Sequence, residues 1–236
     1  MSNEKVILPE DYRDVVYRIT YYLLGKVAHW VPRSITPNQI TLTAFSSSLL
    51  SCLLLYVVQT PVGYLYWILF NFIWYILDAL DGIHARLTQQ TSEFGAFLDH
   101  FLDNIFFLFM LTVFTVRFDL AHTFYIFILF MRITAAATVF IVQVHTQRLY
   151  LTRFSGGLEL LLFTSVMWFS YLYPNFNASD YFPNMMVDYL SLQQGCFMKL
   201  ALLVYLIGIP INFLISIRFV QKHTQNREES VPCQVI

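Results

Sequence analysis

Apolar residues run through this chain in stretches long enough to cross a bilayer. A spanning helix needs about 20 such residues. Runs near 39–59, 62–86, 94–116, 121–144, 156–173 and 197–220 qualify, which predicts six spans. Unpaired backbone groups are costly in hydrocarbon, so each run is expected to be helical. Residues 9–31 differ. There Tyr12, Val15, Val16, Ile19, Leu23 and Leu24 interleave with Arg13, Arg18 and Lys26, the pattern of an amphipathic helix lying in the membrane interface. Pro32 and Pro37 bracket a short turn before the first span. The expected fold class is all-α: a polytopic membrane protein of six transmembrane helices preceded by an N-terminal amphipathic interfacial helix. One domain is expected over 1–236, with 1–36 as a cytoplasmic or interfacial segment and 221–236 as a cytoplasmic tail.

Composition agrees with the pattern. Of 236 residues, 57% are hydrophobic and 12% charged, against about 25% charged in soluble domains. A net charge of −1 offers no basis for a nucleic-acid partner. Cys52, Cys196 and Cys233 are too dispersed for a disulfide framework or a metal knuckle. The polar N-terminus does not read as a cleaved signal peptide. With six spans, Lys5, Arg13, Arg18, Lys26, Arg33, Arg86, Arg148, Arg153, Arg218, Lys222 and Arg227 share one side, and Arg117 lies on the other. That bias predicts an integral membrane protein with cytoplasmic termini. Host membrane stays open between a bacterial inner membrane and the endoplasmic reticulum or Golgi. Asn177-Ala-Ser179 is a glycosylation acceptor only in a secretory-pathway host. Cys233-Gln-Val-Ile236 matches a prenylation pattern, read as chance in a polytopic protein.

The chemistry concentrates where the second and third spans adjoin. Asp78 and Asp81 are spaced i, i+3, and Asp99 and Asp103 are spaced i, i+4, so each pair shares a helix face. Carboxylates inside apolar segments are costly and mark function. Four of them in one pocket repel one another unless divalent cations neutralise them. A metal pair about 4 Å apart suits displacement at phosphorus. Gly82 and Gly95 permit close approach of a ligand. Arg86 either forks a phosphate or pairs with the Asp cluster. Ser92 either donates to a phosphate or is a plain loop serine.

The spacing D-x2-D-G-x2-A-R-x8-G-x3-D-x3-D, met from Asp78 to Asp103, resembles the signature of the CDP-alcohol phosphotransferase family. The resemblance implies two divalent ions, Mg²⁺ or Mn²⁺, held by Asp78, Asp81, Asp99 and Asp103. It implies a CDP-alcohol donor whose β-phosphorus is attacked by an acceptor hydroxyl, with CMP leaving and Asp103 as the usual proton acceptor. Gly82, Ala85, Arg86, Ser92 and Gly95 are then expected at the nucleotide site. Asn38 and Thr41, in a segment resembling the family's start of the first span, are expected to contact the donor. Homodimers are usual in the family.

Two branches of that family are distinguishable. His100 after Asp99, then His145-Thr-Gln147, Arg153-Phe154 and Glu159, resemble the choline/ethanolamine branch, whose acceptor is diacylglycerol. That likeness implies His100 and Glu159 as the pair activating the acceptor hydroxyl. His100 read on its own residues is either a base or a packing residue. Glu159 is either an orienting acid or an acid placed at a helix N-terminus. Arg132, inside the fourth span, resembles an Arg of the glycerol-phosphate branch and either binds an acceptor phosphate or pairs with an Asp. A CDP-diacylglycerol-dependent phosphatidyltransferase is therefore the alternative. A cation transporter is a remote one, because its site is expected at the midplane and not at one membrane side.

Overall fold

The structure, a computed structural model, describes residues 15–120, 122–146, 156–176 and 196–230. Among these it is all helical. The helices are α1 (Val15–Gly25), α2 (Pro37–Val57), α3 (Val62–Thr88), α4 (Glu93–Arg117), α5 (His122–Thr146), α6 (Gly156–Leu172) and α7 (Cys196–Ser230), with a 3-10 turn at Ala28–Trp30. Five of them are long and apolar enough to span: Pro37–Val57, Val62–Thr88, Glu93–Arg117, Phe124–Val142 and Phe197–Gln221. The expected fifth span forms α6, whose 17 residues reach only about 26 Å against a hydrocarbon core of about 30 Å. Exposed apolar side chains such as Ile126, Phe127 and Phe130 on α5 and Val204 and Ile207 on α7 suit an integral membrane protein.

Helix ends follow local chemistry. Thr36 caps α2 through a capping box with Gln39, and Pro37 occupies its first turn. The turn into α3 is tight: a Cβ on Gly63 would lie 2.2 Å from the Val58 carbonyl oxygen. Gln89, in the left-handed region at φ 59°, ends α3 by donating to Ala85 and Arg86 carbonyls. Ser92 caps α4, accepting from Gly95 N–H at 3.0 Å. The expected amphipathic helix over 9–31 is shorter where described: α1 stops at Gly25, whose backbone entropy disfavours continuation.

α2 packs along α3 and α4, α1 and α6 lie against α3, and α7 packs on α5 and α6. α3 and α4 run antiparallel, and aromatic pairs join them at intervals along their length. Tyr64 stacks on Phe118 at 6.0 Å, Trp67 meets Phe114 at 5.8 Å, and Trp74 meets Phe106 at 4.7 Å between centroids. Such pairs add about 0.5–1.5 kcal/mol each beyond burial. This ladder fixes the register of the two helices, and its next rung is Asp78 opposite Asp99 and Asp103.

Candidate active site

The C-terminal half of α3 carries Asp78, Asp81, Gly82, Ala85 and Arg86, and the N-terminal half of α4 carries Gly95, Asp99, His100 and Asp103. Asp78, Asp99 and Asp103 each offer an oxygen, and these atoms lie within 4.8 Å of one another. Three carboxylates so close repel strongly without a cation, and an all-oxygen donor set suits a hard divalent ion. These residues therefore fit a metal. Asp81 is close enough to interact electrostatically with all three. It is buried, and its Oδ2 accepts a hydrogen bond from the Thr41 hydroxyl of α2. Thr41 also approaches the Pro37 carbonyl at 3.1 Å. A hydroxyl has one proton, and the charged oxygen is the stronger acceptor.

α2 is held in place for this contact. His84 in α3, buried, must donate from Nε2 to the Ile35 carbonyl at 2.8 Å, since a carbonyl only accepts. Gln90 Nε2 donates to the Arg33 carbonyl at 3.2 Å. The two bonds pin the segment before α2 against the end of α3. Asn38 then reaches α4: a Cβ on Gly95 would lie 3.1 Å from Asn38 Oδ1 and 3.0 Å from Ser92 Oγ. Asn38, Ser92 and Gly95, named from sequence, thus converge at one point. Ala85 is half-buried on α3. Arg86 folds back over Gly82, with Nη1 3.4 Å from where a Gly82 Cβ would stand. Its charge reaches the Asp81 carboxylate.

His100 and Glu159 have different partners. His100 Nδ1 stands 3.5 Å from Asp99 Oδ2, and its ring meets Phe140 edge-on at 6.5 Å. Glu159 in α6 faces Arg132 in α5, with Oε2 3.7 Å from Nη1. Arg132 also donates to Tyr205 of α7 at 3.3 Å and lies over the Phe107 ring at 4.0 Å. Its charge reaches Asp103, so this network backs the carboxylate site. Tyr205, His84 and Tyr21 escaped the sequence reading. A polar aromatic in an apolar run is a weak signal, because Tyr and Trp are also common at membrane interfaces. The His145 side chain, Gln147, Arg148, Arg153, Phe154, Asn177–Ser179 and Cys233 lie outside the residues described.

The sequence model for CDP-alcohol phosphatidyltransferase matches residues 34–214, which include all four Asp residues and Glu159. The chain belongs to the CDP-alcohol phosphatidyltransferase family. The family is divalent-metal-dependent. It is similar to Choline/ethanolaminephosphotransferase 1 of Saccharomyces cerevisiae, 24% identical over 63% of this chain and 43% of the yeast protein. It also resembles Cholinephosphotransferase 1 of Rattus norvegicus, 36% identical over 34% of this chain and 22% of that protein. Archaetidylinositol phosphate synthase of Pyrococcus horikoshii is 38% identical over 30% of this chain and 36% of its own length. The chain thus spans less than half the length of these relatives. The family match ends well after α6, so the Arg132–Glu159 pair belongs to the shared region, whereas α1 precedes it.

Proposed function

We propose that this transferase moves phosphocholine or phosphoethanolamine from its CDP-linked form to diacylglycerol. The Arg132–Glu159 pair carries this reading. A phosphate-bearing acceptor calls for cations beside the metal site, and the cation behind Asp103 already faces a carboxylate. Diacylglycerol is neutral and makes no such demand. The likeness to a choline/ethanolaminephosphotransferase points the same way.

In this reading Asp78, Asp99 and Asp103, with Asp81 beside them, hold divalent ions of the Mg²⁺ or Mn²⁺ class. Bound ions supply neutralisation of the pyrophosphate charge. The acceptor hydroxyl attacks the β-phosphorus, the bond from that phosphorus to the bridging oxygen breaks, and CMP leaves. His100 takes the hydroxyl proton. With Nδ1 turned to Asp99, the imidazole is held with its proton there, which makes Nε2 the base. Glu159 acts through Arg132. Asn38, Ser92, Gly95, Gly82, Ala85 and Arg86 line the donor site. The Lys and Arg bias supports cytoplasmic termini and a cytoplasmic site. Ile19, Tyr22 and Leu23, exposed on α1, support its lying in the interface.

One observation favours a second reading. Arg132 Nε is buried with no hydrogen-bond partner among the described residues, a spare donor for an acceptor phosphate. Purified protein given CDP-choline, CDP-ethanolamine and CDP-diacylglycerol in parallel, with diacylglycerol and soluble alcohols as acceptors, separates them. CMP release with diacylglycerol and a CDP-amino-alcohol is expected. Turnover with CDP-diacylglycerol alone rejects this assignment in favour of the second.

A further inference from the structure

Tyr21 of α1 lies outside the region matched to the family, yet it reaches the rim of the carboxylate site. The helix is divided. Ile19, Tyr22 and Leu23 are more than half exposed, whereas Tyr21 is 5% exposed and packed in the core. The Thr20 hydroxyl, 2.8 Å from the Tyr75 hydroxyl of α3, fixes the rotation that turns Tyr21 inward. The Tyr21 hydroxyl lies 3.4 Å from where a Gly82 Cβ would stand, and Arg86 Nη1 and Nη2 lie 3.4 and 3.5 Å from the same point. The Arg86 guanidinium sits 5.3 Å from the Tyr21 ring centroid. Ring, guanidinium and bare Gly82 backbone therefore meet over one spot, one residue beyond Asp81.

Arg86 Nη2 is buried with no hydrogen-bond partner among the described residues. A buried guanidinium N–H left unpaired is costly, and a phosphate oxygen is the acceptor that suits it. An arginine side chain loses much rotamer freedom when it is fixed, and an aromatic face that holds it beforehand lowers the cost paid on binding.

We propose that Tyr21 is a positioning residue for the CDP-linked donor, its ring holding the Arg86 guanidinium over Gly82 so that Nη2 is presented to the donor pyrophosphate. The proposal rests on the reading that the donor is CDP-linked and binds beside Asp81.

Steady-state kinetics on Tyr21→Leu and Tyr21→Phe test it. Tyr21→Leu is expected to raise the donor KM about 10-fold, equal to about 1.4 kcal/mol, a size within the range of a desolvated cation–π contact. Its kcat should stay within about twofold, because the lost interaction is one of binding. Tyr21→Phe keeps the ring and should stay near wild type. In an Arg86→Ala background Tyr21→Leu should add nothing, since the two act as one unit. Should Tyr21→Leu fail to accumulate, Tyr21→Met, which keeps the bulk without the ring, carries the same expectation. A wild-type donor KM in the ring-less variants, a kcat loss at unchanged KM, or full additivity with Arg86→Ala overturns the proposal. The assay uses whichever CDP-linked donor the wild type turns over. Inactivity on CDP-choline and CDP-ethanolamine therefore rejects the substrate reading and leaves this test standing.

Discussion

The hydroxyl of Thr41 in α2 donates to the Asp81 carboxylate in α3, two helices whose packing is set by the turn between them and by the pinned segment before α2. Through this bond α2 becomes part of the site. Asp81 is oriented by protein, while Asp78, Asp99 and Asp103 converge on a common point.

Thr41→Val is expected to lower kcat/KM about 10- to 100-fold, because a hydrogen bond to a charged group is worth about 1.5–3 kcal/mol. Thr41→Ser keeps the donor and should retain most activity. Turnover measured across a metal titration should show the valine variant needing more metal. An unchanged titration curve would falsify a link between Thr41 and the metal site.

Asp81→Ala and Asp99→Ala should each abolish turnover while the protein still inserts into membranes, since each removes a carboxylate from a shared site. Activity should depend on Mg²⁺ or Mn²⁺ and stop in chelator. Full turnover in excess chelator contradicts a metal-dependent mechanism.

Glu159→Leu removes the carboxylate facing Arg132 in a half-buried pair and should lower the melting temperature. The double change Arg132→Leu with Glu159→Leu should melt above Arg132→Leu alone, because that single change leaves the Glu159 carboxylate facing no cation. His100→Ala should slow turnover by about 10²–10⁴, the range for general-base catalysis. Its effect should add to that of Glu159→Gln, because the two residues have different partners. Strong non-additivity in the double variant would instead join them in one catalytic unit.

Gly95→Ala places a Cβ 3.0 Å from Ser92 Oγ and 3.1 Å from Asn38 Oδ1, tighter than an ordinary contact. Both side chains must shift, and both stand where the donor is expected. The donor KM should rise several-fold, and the start of α4 should exchange amide hydrogens faster as its Ser92 cap is pushed aside. Wild-type values for both quantities would remove Gly95 from the site.

Much of this protein is local and therefore readable along the chain. In hydrocarbon each span satisfies its own backbone, so apolar runs of sufficient length become helices whatever surrounds them. The i, i+3 and i, i+4 spacings set Asp78 with Asp81 and Asp99 with Asp103 on shared faces for the same local reason. Length was less legible for α6, where the apolar run over 156–173 forms a helix of 17 residues, shorter than the hydrocarbon core it was expected to cross. Partnerships between helices were not local. That Asp81 answers to Thr41, that Glu159 faces Arg132, and that Tyr21, His84 and Tyr205 enter the picture depend on how each helix is rotated against its neighbours. That rotation comes from ring packing between α3 and α4 and from the few polar bonds tying α1 and α2 to α3. Such contacts join residues tens of positions apart and leave no periodicity in the chain, so only the packed structure could decide them.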